Sequence, residues 1–272
     1  MSNEIAKRPA FSVVINSDKF KKSIMNTLQD ENRARRFISS IVSAVNTNPA
    51  LAECDASTII SGALLGESLN LSPSPQLGQY YLVPFNDNKR GCKVAQFQLG
   101  YKGYIQLAIR SGKYRKLNVL AIKEGELIRF DPLNEEIEIN LIEDEIVRES
   151  TPTIGYYAMF EYTNGFKKAI YWSKQKMEAH AIKYSPGYKA HKGYTFWEKD
   201  FDGMAYKTML RQLISKWGVM SIEMQDVIAK DNGILRENNE VEFIGDTEAA
   251  PTDIPKQQDE PVEAETVTMD EL

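Results

Sequence analysis

The first quarter of the chain carries apolar side chains at helical spacing, and the middle carries them at strand spacing. Helices are predicted over residues 19–29 and 32–46, and Asp55 can cap a further helix. Alternation is cleanest over residues 135–141, where apolar and polar side chains follow one another, which predicts a strand with one buried face. The chain therefore combines helices with strands.

Turn residues join two pairs of strand-like segments. Residues 80–85 and 92–99 flank a polar loop, and residues 154–162 and 166–172 flank Asn164-Gly165, a dipeptide that favours a two-residue hairpin turn. The remaining predicted elements are strands over residues 117–122 and 127–130 and helices over residues 102–110, 173–184, 201–217 and 221–230. Residues 1–18 are predicted to be extended or loosely ordered, residues 143–149 to form an acidic turn, and residues 185–196 to form a loop. We therefore expect an α+β fold in which antiparallel β-hairpins pack against helices.

Charge divides the chain into a basic body and an acidic C-terminal segment. The 272 residues carry a formal net charge of −5. Residues 231–272 hold thirteen of the acids and two of the bases without apolar periodicity, so we predict a mostly disordered tail there. Residues 31–230 form the predicted core, and residues 1–30 an N-terminal assembly segment. A basic body is typical of a protein that binds nucleic acid.

The most informative stretch, residues 98–114, interleaves tyrosines with basic side chains and contains no carboxylate. Lys102, Tyr104 and Arg110 lie in it, and residues 88–116 hold eight basic residues and no acid. Cations neutralise phosphates and aromatic rings stack on unpaired bases, so this composition suits a strand of nucleic acid. The alternative is a short helix that docks its apolar side chains in the core and leaves its cations solvated.

Lysine and arginine also accompany the helix predicted over residues 201–217. At 100° per residue its apolar side chains form one stripe, and Lys207 and Arg211, four positions apart, share the neighbouring face. We therefore expect both cations to lie at the rim of the core, where they could point into a groove. The preceding loop adds Lys192, and Trp197 is predicted either to stack on a base or to pack in the core.

Several kinds of chemistry have no signature in this sequence. There is no phosphate-binding G-x-x-x-x-G-K-[ST] motif, and the two histidines and two cysteines show no zinc-binding spacing. We therefore expect no catalytic centre, metal or cofactor. No apolar run reaches membrane-spanning length and the N-terminus lacks a signal sequence, which predicts a cytoplasmic protein.

Four motifs resemble the RecT family of single-strand annealing recombinases. They are Gly78-Gln-Tyr-Tyr-Leu-Val-Pro84, the stretch from Gln98 to Gly112, Tyr171-Trp-Ser-Lys174, and the segment from Trp197 to Trp217. The resemblance spans residues 30–230. It implies a phage or prophage protein of a bacterial host cell that anneals complementary strands without ATP and assembles into rings or helical filaments.

The same resemblance implies partners and site residues. The partners are single-stranded DNA, the annealed duplex, an exonuclease and a host single-strand-binding protein. The resemblance carries a DNA-binding role to Lys102, Tyr104, Gln106, Trp197, Lys207 and Arg211, and the basic pattern adds Arg110 and Lys192.

Three functions remain to be distinguished. The first is an annealing protein that holds one strand along a basic groove of an oligomer, pairs it with its complement and keeps the duplex, promoting homologous recombination. The second is a passive coat on single-stranded DNA, which would bind equally well with or without a complement. The third is a metal-dependent nuclease, which would need a buried acid cluster.

Overall fold

The computed structural model describes residues 9–193, 195–218, 228–236 and 240–242. In these ranges the helices are α1 (Phe11–Ile15), α2 (Asp18–Leu28), α3 (Glu31–Thr47), the 3₁₀ helix Pro49–Glu53, α4 (Ala56–Ser68), α5 (Tyr101–Arg110), α6 (Glu145–Ser150), α7 (Lys174–Tyr184), α8 (Pro186–Lys189), α9 (Phe196–Lys199) and α10 (Phe201–Trp217). The strands are β1 (Tyr80–Asp87), β2 (Cys92–Leu99), β3 (Tyr114–Lys123), β4 (Leu127–Asp131), β5 (Glu136–Ile139), β6 (Thr153–Tyr162), β7 (Lys167–Ser173), β8 (Ile234–Leu235) and β9 (Val241–Glu242). Small antiparallel sheets pack with helices, which confirms the predicted α+β class.

The N-terminal helices and the β1–β2 hairpin share a first hydrophobic core. α3 buries Phe37, Ile41 and Val45 on one side, at the spacing that predicted the helix. α4 begins where Asp55 accepts a hydrogen bond from the Ser57 backbone nitrogen at 3.0 Å, as predicted for its cap. The helix lies against the hairpin and brings its apolar side chains into this core.

A second core lies under the three-stranded sheet, in which β6 pairs with both β3 and β7. Along β6, Tyr156, Ala158 and Phe160 are buried in this core with residues of α7 and α10. Helix α10 contributes to both cores, because Leu210 packs in the first and Leu213 in the second. The predicted hairpin at Asn164-Gly165 is confirmed by the β6–β7 pairing.

The β4–β5 hairpin is a separate two-stranded sheet, followed by α6. The carboxylate of Glu126, fully buried, accepts hydrogen bonds from Arg148 Nε at 2.6 Å and from the Lys123 backbone nitrogen at 2.7 Å. Because Arg148 belongs to α6, these bonds fasten that helix to the base of the hairpin.

Three local predictions differ from the structure. Residues before 19 were expected to be extended, but α1 forms there because Phe11 and Ile15, four apart, are both buried. An acidic turn was expected over residues 143–149, where Asp144 instead caps α6. The loop predicted over residues 185–196 contains α8 and the first residue of α9. Most of the helix predicted over residues 221–230 lies outside the described residues.

The C-terminal boundary also needs correction. Residues 231–236 belong to the first core, since the backbone nitrogen of Phe97 donates to Gly233 and that of Asn232 donates to Phe97, both at 2.9 Å. Ile234 and Leu235 are buried, and Arg236 donates to the buried carboxylate of Asp87 at 3.1 Å. A tail beginning at residue 231 is therefore wrong for these residues. Residues 237–239 and 243–272 of the predicted tail lie outside the described part of the chain.

Candidate nucleic-acid interface

Helix α5 separates the predicted DNA-binding residues by face. Lys102, Gln106 and Arg110 follow one another at intervals of four and share the outer face, where Lys102 and Arg110 are exposed and Gln106 is half-buried. Tyr104 is fully buried on the opposite face. One side of the helix thus docks in the core, and the other exposes cations to solvent, so contact of these cations with DNA stays a prediction.

The glycines of this stretch allow α5 to begin directly against the start of β1. A Cβ atom at Gly103 would overlap the carbonyl oxygen of Gln79, and one at Gly100 would overlap that of Gly78. The Gly100 backbone nitrogen donates to Gln79 at 2.9 Å. This close packing places Lys102 in the first turn of a helix without an acid in that turn, where the helix dipole favours an anion.

Two partly exposed aromatic rings lie beside this helix start. Tyr81 of β1 contacts Phe196 of α9, with ring centroids 5.5 Å apart. Gly78, at φ +60°, has both the Tyr81 hydroxyl and the Lys102 side chain around the position a Cβ would take. Burial raises the pKa of Tyr81, and nearby Asp200 and Tyr101 raise it further, so its phenol stays neutral at physiological pH.

We call Tyr81, Lys102, Gln106 and Phe196 the α5 surface. Lys192 is exposed in the loop that leads into α9, and the adjacent Gly193 nitrogen donates to Glu198 at 2.8 Å, which folds this loop back onto α9. The α5 surface thus combines a cation, an amide and two aromatic rings, and Lys192 lies four residues before Phe196 in the chain. Such a set can hold phosphates and stack on bases.

Lys207 and Arg211 occupy a different environment. Their exposed fractions are 7% and 1%, and both cations face the carboxylate of Asp231, at 3.4 Å from Lys207 Nζ and 3.6 Å from Arg211 Nη1. The expectation that these two cations lie at the rim of the core is therefore wrong. Helical periodicity places them beside the apolar stripe, but it does not reveal a buried carboxylate that lies farther along the chain.

Asp231 connects three parts of the structure. Its Oδ1 atom accepts from the Leu99 backbone nitrogen at 2.7 Å, and its Oδ2 atom accepts from the Tyr104 hydroxyl at 3.1 Å. The carboxylate therefore joins the end of β2, the buried face of α5 and the two cations of α10. We call Tyr104, Lys207, Arg211 and Asp231 the buried cluster.

Trp197 lies in the second core, with 7% of its surface exposed. Its ring packs edge-on against Phe201 with centroids 5.1 Å apart, and Tyr188 lies at 6.3 Å. Of the two predicted alternatives for Trp197, the structure shows packing in the core. The adjacent Phe196 faces outward, and it was not identified from the sequence as a candidate site residue. Adjacent residues of a helix point in different directions, so burial of Trp197 would have indicated that Phe196 is exposed.

Arg110 has a structural role at the end of another helix. Its Nη1 atom donates to the Leu69 carbonyl at 2.6 Å and its Nη2 atom to the Asn70 carbonyl at 2.8 Å. These carbonyls follow α4, where basic side chains commonly satisfy the last backbone acceptors. The guanidinium therefore holds α5 to the end of α4, and it is the least suitable of the exposed candidates for a DNA-binding test.

The described residues also bear on metal binding and on membrane insertion. They contain no group of three or more histidine, cysteine, aspartate or glutamate side chains placed to hold a metal ion. No helix among them is long and apolar enough to cross a membrane. Cys54 and Cys92 are both free thiols.

Comparison with known proteins identifies the family. The chain matches the RecT family over residues 35–246. It is 43% identical over 200 residues to the uncharacterized protein YqaK of Bacillus subtilis (strain 168), covering 74% of this chain and 65%, slightly less than two thirds, of that protein. It is 30% identical over 220 residues to Protein RecT of Escherichia coli (strain K12), covering 80% of this chain and 78% of that protein. The chain belongs to the RecT family.

Proposed function

We propose that this protein is an ATP-independent single-strand annealing protein of homologous recombination. Membership of the RecT family supports the general class. The observation that carries the proposal is the α5 surface, where Lys102 shares an outer helical face with Gln106 and lies close to Tyr81, whose ring contacts Phe196. Cations beside partly exposed rings are the combination that holds a single strand by its phosphates and bases.

In this mechanism the protein binds and positions DNA, and base pairing supplies the free energy. Lys102 and Lys192 contact phosphates of the first strand, and Gln106 donates a hydrogen bond to its sugar-phosphate backbone. Tyr81 and Phe196 stack on its bases. The cations also lessen the repulsion between the two strands as the complement approaches. Subunits align as a ring or helical filament, so that their α5 surfaces form one groove that retains the annealed duplex. The mechanism requires neither a catalytic residue nor ATP.

The buried residues of the predicted site receive a positioning role in this proposal. Tyr104 and the two cations of α10 fix the buried face of α5 through Asp231, and Trp197 fixes α9, which carries Phe196. Direct contact of Lys207 and Arg211 with DNA stays a prediction, and a measurement of the salt dependence of binding tests it. An exonuclease and a host single-strand-binding protein in the bacterial cytoplasm are the proposed partners.

An annealing assay without ATP tests the proposed function against its two alternatives. Complementary oligonucleotides labelled with a fluorescence donor and acceptor are mixed after one of them has been loaded with protein. We expect faster annealing than for the naked strands, and a protein–duplex complex that survives a challenge with unlabelled single strands. Annealing that is no faster than for naked strands, with release of the duplex, would identify a passive coat.

The nuclease alternative has its own readout. A single strand labelled at one end is incubated with the protein and Mg²⁺ or Mn²⁺, and its length is measured on a denaturing gel. We expect the strand to keep its full length. Metal-dependent shortening that a chelator stops would contradict the proposal.

A further inference from the structure

Six large apolar side chains are exposed between the start of β4 and the end of α6. We call residues 127–149 the hairpin patch. Leu133 is 88% exposed and Ile146 81%. The exposed large apolar side chains of the patch are Ile128, Phe130, Leu133, Leu141, Ile146 and Val147. Clustered apolar side chains on a protein surface mark an interaction site, since water solvates them poorly.

The charge of the hairpin patch argues against DNA as its ligand. Its exposed acids are Glu135, Glu136, Glu138, Glu143, Asp144, Glu145 and Glu149. The bases within it are Arg129 and Arg148, and Arg148 is held by the buried Glu126. An open hollow of about 330 Å³ lies between Arg129 and the acidic side of β5. Seven exposed carboxylates repel phosphates, so this apolar and acidic surface suits a basic protein partner.

The patch is held in place by contacts at its base. Glu126 accepts hydrogen bonds from Arg148 and from the backbone nitrogens of Lys123 and Ile142, the last at 3.2 Å. The Phe130 ring lies 5.1 Å from that of Tyr171, which joins the hairpin to the three-stranded sheet. A surface that is already ordered loses little conformational entropy when it binds.

Another part of the chain offers the complementary surface. Helix α2 exposes Met25 one turn from Lys21 and Lys22, and the neighbouring α1 exposes Val13; we call these four residues the N-terminal face. The face combines apolar side chains with positive charge. It belongs to the first core, whereas the hairpin patch is attached through Tyr171 to the sheet over the second. The two surfaces are therefore different parts of one subunit and are complementary in charge.

We propose that the hairpin patch of one subunit docks on the N-terminal face of the next copy of this chain. The apolar side chains are buried between the subunits, and glutamates of β5 meet lysines of α2. A contact between two different surfaces is head-to-tail, so it closes into a ring or continues as a helical filament. The inference rests on the oligomeric assembly within the proposed function and names the surfaces that build it.

Charge reversal on either surface tests this contact. Glu136→Lys with Glu138→Lys reverses the patch, and Lys21→Glu with Lys22→Glu reverses the N-terminal face. Like charges juxtaposed at an interface are costly, so we expect each variant alone to need at least about tenfold more protein to assemble. Sedimentation velocity of the full chain, with and without a single-stranded oligonucleotide, measures the assembly.

Mixing the two variants is the decisive step. In an equimolar mixture every contact again pairs opposite charges, and we expect assemblies of wild-type size. The control reverses Lys183 and Lys189, two exposed lysines outside both surfaces and outside the basic stretch of residues 88–116, and should assemble like the wild type. A wild-type protein that stays monomeric, reversed variants that assemble normally, a mixture that stays dispersed, or a control that disperses equally would each overturn the proposal.

A second readout separates this inference from the proposed function. The dispersed variants should still bind an oligonucleotide short enough for one subunit, measured by fluorescence anisotropy, because the α5 surface is unchanged. If the wild type itself binds no DNA, the proposed function fails, while sedimentation without DNA still decides the interface.

Discussion

Two pairs of cations were both predicted from the sequence to bind DNA, but the structure places them in opposite environments. Lys102 and Lys192 are exposed to solvent, whereas Lys207 and Arg211 are buried around Asp231. The cost of burying an unpaired charge is several kcal/mol, so a cation enters the interior only with its counter-charge. A cation on a helix face therefore indicates a nearby anion, but the sequence does not show whether that anion is a DNA phosphate or a carboxylate of the same chain.

Truncation should have the largest effect on this comparison, because it removes the segment that directly follows Asp231 and packs it into the first core. A chain ending at Asn232 lacks the buried Ile234 and Leu235, and each such side chain contributes about 1.5–3 kcal/mol. We expect this truncation to lower the free energy of unfolding by roughly 3–6 kcal/mol. Urea denaturation followed by circular dichroism measures it.

The matched control ends at Glu242 and keeps β8 and β9. It removes nine acids and one base, and we expect a stable core that binds DNA somewhat more tightly at low salt. Equal stability of the two truncated proteins would show that residues 233–242 do not belong to the core.

Asp231→Ala should destabilise the protein strongly without touching an exposed residue. It leaves Lys207 and Arg211 buried without this carboxylate, and removing one partner of a buried ion pair costs about 3–5 kcal/mol. Asp231→Asn keeps an acceptor for the Leu99 nitrogen and should cost less. Glu178→Ala, at an exposed position of α7, should change stability by less than about 0.5 kcal/mol. An Asp231→Ala protein with the urea midpoint of the wild type would show that Asp231 does not stabilise the buried Lys207 and Arg211.

Trp197 and Phe196 allow a comparison of two adjacent aromatic residues. Trp197→Ala creates a cavity in the second core and should lower the stability by about 3–5 kcal/mol. Phe196 is 41% exposed, so Phe196→Ala should leave folding nearly unchanged. It should weaken oligonucleotide binding by about 1–3 kcal/mol, because it removes a ring that stacks on a base. Thermal unfolding and fluorescence anisotropy give both quantities for each variant. A Trp197→Ala protein that folds normally and binds DNA poorly would reverse the two roles.

Local signals in the sequence predicted most of the elements, because each rests on neighbouring residues. Ser173, for example, caps α7 by accepting from the Lys176 nitrogen at 3.2 Å, and the Asn164-Gly165 turn lies between two paired strands. The order of strands in the sheet could not be predicted from such local signals, because β3 pairs with β6 and the β4–β5 hairpin lies between them in the chain. Likewise, no neighbouring residue distinguishes Tyr81, which belongs to the α5 surface, from the buried Tyr80 in the same strand.

The candidate site was predicted only in part for the same physical reason. The outer face of α5 follows from its own period of 3.6 residues, so the shared face of Lys102, Gln106 and Arg110 agrees with the sequence. The contact of Arg110 with the end of α4 and the position of Asp231 depend on the packing of distant segments. The general class of partner could therefore be inferred from the basic composition, while the division between binding and supporting residues required the structure.

The salt dependence of binding gives the smallest expected effect and the most direct test of which cations meet DNA. Each phosphate contact on a single strand contributes about 0.7 to the slope of log K against log salt concentration. We expect Lys102→Ala to lower that slope by about 0.7, and Lys102→Ala with Lys192→Ala by about 1.4. Lys89→Ala removes an equal charge from the β1–β2 turn and should leave the slope unchanged.

The same titration decides the role of the buried cations. Lys207→Ala, measured at a temperature where the variant remains folded, should leave the slope unchanged if Lys207 stays with Asp231 while DNA is bound. A decrease of about 0.7 in this variant would show instead that the buried cluster opens and that Lys207 contacts a phosphate, as its position in the family motif implies. An unchanged slope for Lys102→Ala would place the strand elsewhere and remove the α5 surface from the interface. The change in the salt slope therefore distinguishes a lysine that contacts a phosphate from one that does not, even if both Lys102→Ala and Lys207→Ala bind DNA less tightly.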